Sequence, residues 1–223
     1  MSYLKKVLAI VWKDLISELR TKEMVSSMLV FSLMVVVIFN LVFEPGSEYT
    51  KEIIPGVLWV AFAFAGLLGL NRSFIYEVDK GCLQGLMLSP VDRSAIYLGK
   101  MLGNLIFMTI VEAITLPIFT LFYNVNLFVL PLIGIILLGT LGFTAVGTLF
   151  SAIAVRTRSR EVMLPVLHFP VVVPVILSAV RATGKILEGH SWSVILPWLK
   201  LLIGFDLIFI ILSVWTFEYV IEE

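Results

Sequence analysis

Apolar and polar positions along this chain sort into six long hydrophobic runs, one amphipathic lead-in and one charged insert. Residues 3–20 place Leu4, Val7, Leu8, Val11, Leu15 and Leu19 at helical spacing, with Lys5, Lys6, Lys13, Asp14 and Glu18 over much of the remainder. This pattern predicts an amphipathic helix in a membrane interface over residues 2–22. The runs cover about residues 24–43, 53–75, 94–123, 127–155, 162–180 and 196–220. A bilayer demands roughly 20 apolar residues of a spanning helix, so each run is read as a span. The third is longer, which predicts a helix that tilts or projects beyond the membrane. Spans one and two occupy residues 24–75, a surface segment residues 76–93, and spans three to six residues 94–220. The predicted fold is an all-α integral membrane domain over 1–223, with six transmembrane helices, the interfacial helix and a surface helix between spans two and three.

Composition agrees with lipid as solvent. Sixty per cent of the 223 residues are hydrophobic, 14% are charged, and mean hydropathy is +1.05, whereas soluble domains keep roughly a quarter of their residues charged. Sixteen basic residues balance sixteen acidic ones, so net charge gives no basis for nucleic acid as a partner. Cys82 is the single cysteine, which excludes an internal disulfide and a CxxC metal or covalent-haem motif. Charges at Lys13, Asp14, Glu18 and Arg20 interrupt the N-terminal apolar pattern and do not suit a cleaved signal peptide.

The distribution of basic residues sets an expected orientation. With the N-terminus inside, Lys5, Lys6, Lys13, Arg20, Lys22, Arg72, Lys80, Arg93, Lys100, Arg156, Arg158 and Arg160 all fall on the cytosolic side, twelve of the sixteen. The positive-inside rule then places both termini and the insert in the cytosol. The longest outer connection, about residues 181–195, is too short for a core of its own and reads as a short helix or re-entrant turn. The halves show no clear internal repeat, which weighs against inverted-repeat carriers.

No energy source is visible. Gly99-Lys100-Met101 resembles the end of a phosphate-binding loop, but Ser94 stands where the loop needs Gly and Met101 where it needs Ser or Thr. Work against a gradient therefore requires a separate ATPase. The insert offers a place for one. Glu77, Asp79, Lys80 and Gln84 supply a polar face, and Val78, Cys82, Leu83, Leu86, Met87 and Leu88 an apolar one, with Ser89-Pro90 as the stop. Gly81 and Gly85 bare one helical face to close approach. Two readings stand: a docking helix, or a surface helix that only anchors the loop.

Within the spans, Glu112, His168 and Asp206 are the ionisable exceptions, and such groups face a bundle interior or water. Glu112 lies deep in span three and is a functional candidate. His168 is expected to hydrogen-bond between helices. Asp206 is expected near the outer end, paired with Lys200 or reaching the interface. His190, in an outer loop beside Trp192, reads as an interfacial polar residue. Pro165, Pro170 and Pro174 interrupt hydrogen bonding in span five and fit either a flexible helix or a static kink. Gly134, Gly139, Gly142 and Gly147 in span four, and Gly99-x-x-x-Gly103 in span three, predict close helix contacts.

Several of these elements together resemble the cytochrome c maturation protein B family, haem-exporter membrane subunits among the ABC-2 type transporters. They are Pro55-Gly56-Val57-Leu58-Trp59-Val60, Asn71-Arg72-Ser73-Phe74, Glu77-x-Asp79-x-Gly81-x-Leu83-x-x-Leu86-x-Leu88-x-Pro90, Lys100, and Leu164-Pro165-Val166-Leu167-x-x-Pro170-x-x-x-Pro174. One departure is Gln84-Gly85, where the family pattern has an acidic residue followed by Gln. The resemblance implies a non-catalytic permease subunit in a bacterial inner membrane. Its implied partners are the cytochrome c maturation ATPase, which binds ATP and Mg, a haem-handling membrane protein, a small single-span protein and a periplasmic haem chaperone. It assigns Arg72, Glu77, Asp79, Gly81, Leu83, Gly85, Leu86, Leu88 and Lys100 to ATPase coupling. Haem is then handled by the complex, with no cofactor site assigned to this chain and His190 as the one outer-face residue that could ligate its iron. A lipid, polysaccharide or drug permease of the same class remains the alternative, and an ATP-independent carrier a further one.

Overall fold

The computed structural model describes residues 2–43, 48–79, 81–89, 91–157 and 159–222, and every regular element among them is an α-helix. In chain order these are α1 (Tyr3–Thr21), α2 (Glu23–Val42), α3 (Glu48–Asp79), α4 (Cys82–Leu88), α5 (Arg93–Tyr123), α6 (Leu130–Ala154), α7 (Arg160–Leu187) and α8 (Trp192–Glu222). Six of them, α2, α3 and α5–α8, are long and apolar enough to cross a bilayer. The chain is an integral membrane protein of all-α class.

Local chemistry explains the breaks. Lys22 sits in the left-handed region at φ 56° and separates α1 from α2. Its N–H still donates to Glu18 O at 2.7 Å, and the Glu18 carboxylate accepts from Val25 N at 2.8 Å. One side chain thus satisfies a free donor at the start of α2. Gly81 adopts φ 68° between α3 and α4, and Asn124 φ 51° at the end of α5. Lys80, Pro90 and Arg158 lie outside the described residues, as do Glu44 to Ser47, so the stop expected at Pro90 falls there too.

Two boundaries differ from expectation. The second span does not give way to the insert at residue 76. Instead α3 continues to Asp79 because Phe74 and Glu77 are buried against neighbouring helices. The surface helix is correspondingly short, seven residues from Cys82 to Leu88. At the other end, residues 181–187 extend α7 and α8 begins at Trp192. The expected outer helix or re-entrant turn reduces to a tight turn at 188–191, with Gly189 at φ 72°. Helix α7 passes through Pro165, Pro170 and Pro174 without interruption. Ser178 Oγ donates to Pro174 O at 2.6 Å.

Helix α6 is the axis of the bundle. Its small residues admit side chains from its neighbours. A Cβ added at Gly139 would strike the Trp59 indole of α3, one at Gly142 the Asp206 carboxylate of α8, and one at Gly147 the Leu70 side chain of α3. Gly134 has open space beside it. The Trp59 indole N–H, buried between α3 and α7, donates to Thr183 Oγ1 at 3.0 Å. Tyr123, Phe119 and Phe62 fill the same end of the core. At the α4 end, Phe74, Ile96, Tyr97, Met101, Leu149, Phe217 and Ile221 form a second cluster, and Leu86 and Met87 of α4 pack onto it. The spanning stretches of α2 and α8 leave most of their apolar surface uncovered, as lipid-facing helices do.

Candidate functional site

The chemistry gathers at the end of the bundle that holds α1, α4 and the last turns of α8. Helices α3 and α5 have 32 and 31 residues, about 46–48 Å at 1.5 Å per residue. The hydrocarbon core is about 30 Å thick. Both helices therefore overrun it, and α4 hangs between their projecting ends. Arg93 holds the loop by donating to Met87 O at 3.0 Å, and Ser89 Oγ donates to Leu86 O at 2.6 Å.

Helix α4 turns Leu86 and Met87 inward and presents Cys82, Gln84, Gly85 and Leu88 outward. Cys82, Gln84 and Gly85 are exposed, and Leu88 keeps 88% of its surface open. Nothing stands within 4 Å of a Cβ built at Gly81 or Gly85. The left-handed backbone at Gly81 accounts for that glycine by turn geometry alone. Gly85 has no such requirement, so only its bare surface distinguishes it. Leu83 belongs to α4 by backbone.

The residues expected on the polar face of one helix separate in the structure. Glu77 is 3% exposed, inside the end of α3, and Lys100 is 2% exposed, two turns into α5. Lys100 Nζ lies 2.7 Å from Glu77 Oε1 and 3.0 Å from Asp14 Oδ2, and stands over the Phe74 ring at 5.5 Å. Lys13 bridges Glu77 and, at 3.1 Å, Asp14. Two ammonium groups and two carboxylates thus form one cluster where α1, α3 and α5 meet. Burial alone would lower the Lys13 ammonium, but the Glu77 and Asp14 carboxylates outweigh it and hold it above the usual lysine range. Glu77 is therefore not an exposed contact residue, because the paired cations draw it into the bundle. Sequence reasoning missed Lys13 and Asp14 as its partners. The signal was the i, i+1 charge pair on the same helix as buried Val7, Ile10 and Val11.

Asp79 and Arg72 remain at the surface. Asp79 makes a two-pronged contact with Arg160 of α7, at 2.9 and 3.4 Å. Arg72 lies 3.0 Å from Glu23 at the start of α2. Lys6 approaches Asp92 at 3.6 Å, and Tyr3 donates to Ser94 at 3.0 Å.

The intramembrane polar residues all approach α6. Glu112 Oε1 accepts from Thr140 Oγ1 at 2.6 Å, while Oε2 has no partner among the described residues. Asp206 stands midway along α8, buried against Gly142, and neither oxygen reaches a donor among the described residues. The expected pairing with Lys200 is absent from the described contacts, since burial against α6 turns the carboxylate inward. His168 is fully buried with Phe143 edge-on at a centroid distance of 4.4 Å. Its ring nitrogens find no hydrogen-bond partner among the described residues, so it packs as an aromatic rather than bonding between helices. His190 lies in the 188–191 turn with Nδ1 3.5 Å from Glu188, which also pairs with Lys185 at 2.7 Å.

Six helices able to span a bilayer, with a short helix joining two of the longest, define a multi-pass membrane protein. The chain belongs to the CcmB protein family, whose model matches residues 5–222. It is similar to heme exporter protein B of Pseudomonas aeruginosa, at 28% identity over 172 residues, 77% of each chain. The Haemophilus influenzae protein of the same name is also 28% identical, over 188 residues, covering 84% of this chain and 83% of the relative. The Escherichia coli K12 protein is 35% identical over a shorter stretch of 74 residues, about a third of each chain.

Proposed function

We propose that this chain is the membrane subunit of an ABC-type complex in cytochrome c biogenesis, worked by a separate ATPase. The relatives' name, heme exporter protein B, supplies the haem connection. The outward face of α4 carries the coupling reading. A largely exposed Leu88 beside Gln84 and Gly85, held out by two overlong helices, suits a hydrophobic notch on a soluble partner. Both termini and α4 face the cytosol in this reading, following the basic residues around them.

The job is mechanical. The ATPase closes on ATP and Mg, α4 moves, and Leu86 and Met87 pass that movement to the core cluster containing Phe74, Tyr97 and Phe217. The spans convey it to outer partners that hold haem or the haem-loaded chaperone. Haem is cargo of the complex, and the chain itself performs no catalysis. Arg72, Asp79, Gly85 and Leu88 border the coupling face, whereas Leu86, Glu77 and Lys100 act from beneath it.

Leu88→Asp tests this without disturbing the core, because the Leu88 side chain is almost entirely exposed. The variant should insert at normal levels, lose its co-purifying ATPase and abolish c-type cytochromes in cells. Full retention of the ATPase by Leu88→Asp, or unchanged c-type cytochromes on deletion of the chain, defeats the proposal.

A further inference from the structure

The ion cluster and the packing of α1 point to a part of the machine that α4 alone does not explain. Contacts between α1 and α5 run along both helices: Tyr3 with Ser94, Ile10 with Gly99, and Asp14 with Lys100 and Gly103, while Lys6 reaches Asp92 just before α5 begins. A Cβ at Gly99 would stand 2.8 Å from Ile10 Cβ and 3.3 Å from Val7 O. The glycine therefore lets the two backbones meet. At the centre, Lys100 and Glu77 are buried with their charges, and every strong partner they have comes from α1 or from each other. The other face of α1 is bare, with Leu4, Leu8, Trp12 and Leu19 exposed.

We propose that Lys13, Asp14, Glu77 and Lys100 weld α1 to the roots of α3 and α5, making α1 a second arm of the coupling apparatus that moves with α4 as one body. This rests on the ATPase-driven reading above. The two helices that carry α4 are the same two that carry Glu77 and Lys100. Displacing α4 relative to α1 would separate buried opposite charges, which is expensive in a low-dielectric site. The cheaper motion takes α1 along, and its exposed apolar face then sweeps the inner leaflet. Glu77 and Lys100 are positioning residues in this scheme.

A disulfide tests it directly. A Cβ at Gly103 would lie 3.8 Å from Asp14 Cβ, the mean separation in disulfides. The parent is the complex of this chain carrying Cys82→Ser with its co-purified ATPase. Asp14→Cys and Gly103→Cys are added, and the pair is oxidised in detergent. The oxidised complex should hydrolyse ATP within about twofold of the same double-cysteine complex kept reduced, since both forms lack the Asp14 carboxylate and the bond spans parts that do not move apart. A tenfold or greater loss on oxidation, restored by reductant, shows that α1 must slide past α5 and overturns the proposal. In cells, Asp14→Asn should lower c-type cytochrome per inserted copy at least threefold, with the ATPase still bound. Wild-type output from Asp14→Asn also overturns it. Absence of any ATPase from the parent preparation defeats the reading beneath the proposal, and the proposal with it.

Discussion

Replacing Lys100 with Met removes the one buried lysine among the described residues. The loss can be reckoned from its partners. Lys100 Nζ contributes contacts of 2.7 Å to Glu77, 3.0 Å to Asp14 and 5.5 Å to the Phe74 ring, at 2% exposure. Breaking a buried pair by removing one member costs about 3–5 kcal/mol, mostly the penalty of the stranded charge. Glu77 and Asp14 each keep Lys13 in this variant, so the loss should fall at the lower end, about 3 kcal/mol. Glu77→Met strands Lys100 with Asp14 as its only carboxylate and should cost a similar amount. The double variant leaves Lys13 paired with Asp14 and two apolar side chains in a buried space. Apolar replacement of a whole buried pair is often neutral or stabilising. The double should therefore lie within about 1 kcal/mol of wild type, far from the sum of the singles. Unfolding in mixed detergent and SDS micelles, followed by tryptophan fluorescence, measures all four proteins, with Trp12 reporting from α1 itself. A double variant as damaged as the two singles added together would refute the reasoning, because it would show that the charges act independently of one another.

Other expectations follow from single contacts. Thr183→Val removes the acceptor of the Trp59 indole N–H and should lower stability by about 1–3 kcal/mol through a stranded buried donor, measurable in the same micelle titration. Gly139→Val drives a branched side chain into the Trp59 ring. It should cost at least about 1–3 kcal/mol as overpacking, and rescue by Trp59→Leu would identify the clash. Lys13 carries a raised pKa in the folded chain. Its contribution is fully present below the unfolded lysine value near 10.4 and is lost as pH rises through the higher folded value. Wild-type stability should therefore fall more steeply than that of Lys13→Met at strongly alkaline pH, and equal slopes would contradict the assignment. Asp79→Ala removes only an exposed pair with Arg160 and should leave unfolding almost unchanged, within the small range of surface ion pairs.

Periodicity and length made the membrane architecture readable, because a bilayer imposes one strong requirement on every span. The six runs matched six helices, and the amphipathic residues 3–20 matched α1, since hydropathy alone decides between lipid and water. Boundaries near charged residues were less readable. Glu77 and Asp79 share one turn of α3 and looked equivalent in a polar stretch. Yet Glu77 turns inward to two lysines and Asp79 outward to Arg160, a difference set by side chains from α1, α5 and α7 that lie well away in sequence. Asp206 was misplaced for the same kind of reason. Its nearest basic neighbour in sequence, Lys200, suggested a surface pair, whereas Gly142 on another helix leaves the room that draws it inward.

The same contrast separates the two roles proposed for the α4 end. Groups that meet a partner must be exposed, and Leu88, Gln84 and Gly85 satisfy that condition. Groups that carry force within the chain must be buried and joined across elements, which Glu77 and Lys100 satisfy. A motif that gathers all of them into one sequence stretch cannot distinguish these duties, because they fall on three helices, α3, α4 and α5. In the proposed scheme the exposed set lies on α4 and the buried set on the adjoining ends of α3 and α5. Charge reversal at Glu77 would thus injure the bundle itself, and only substitutions on the α4 face separate recognition of the ATPase from transmission of its movement.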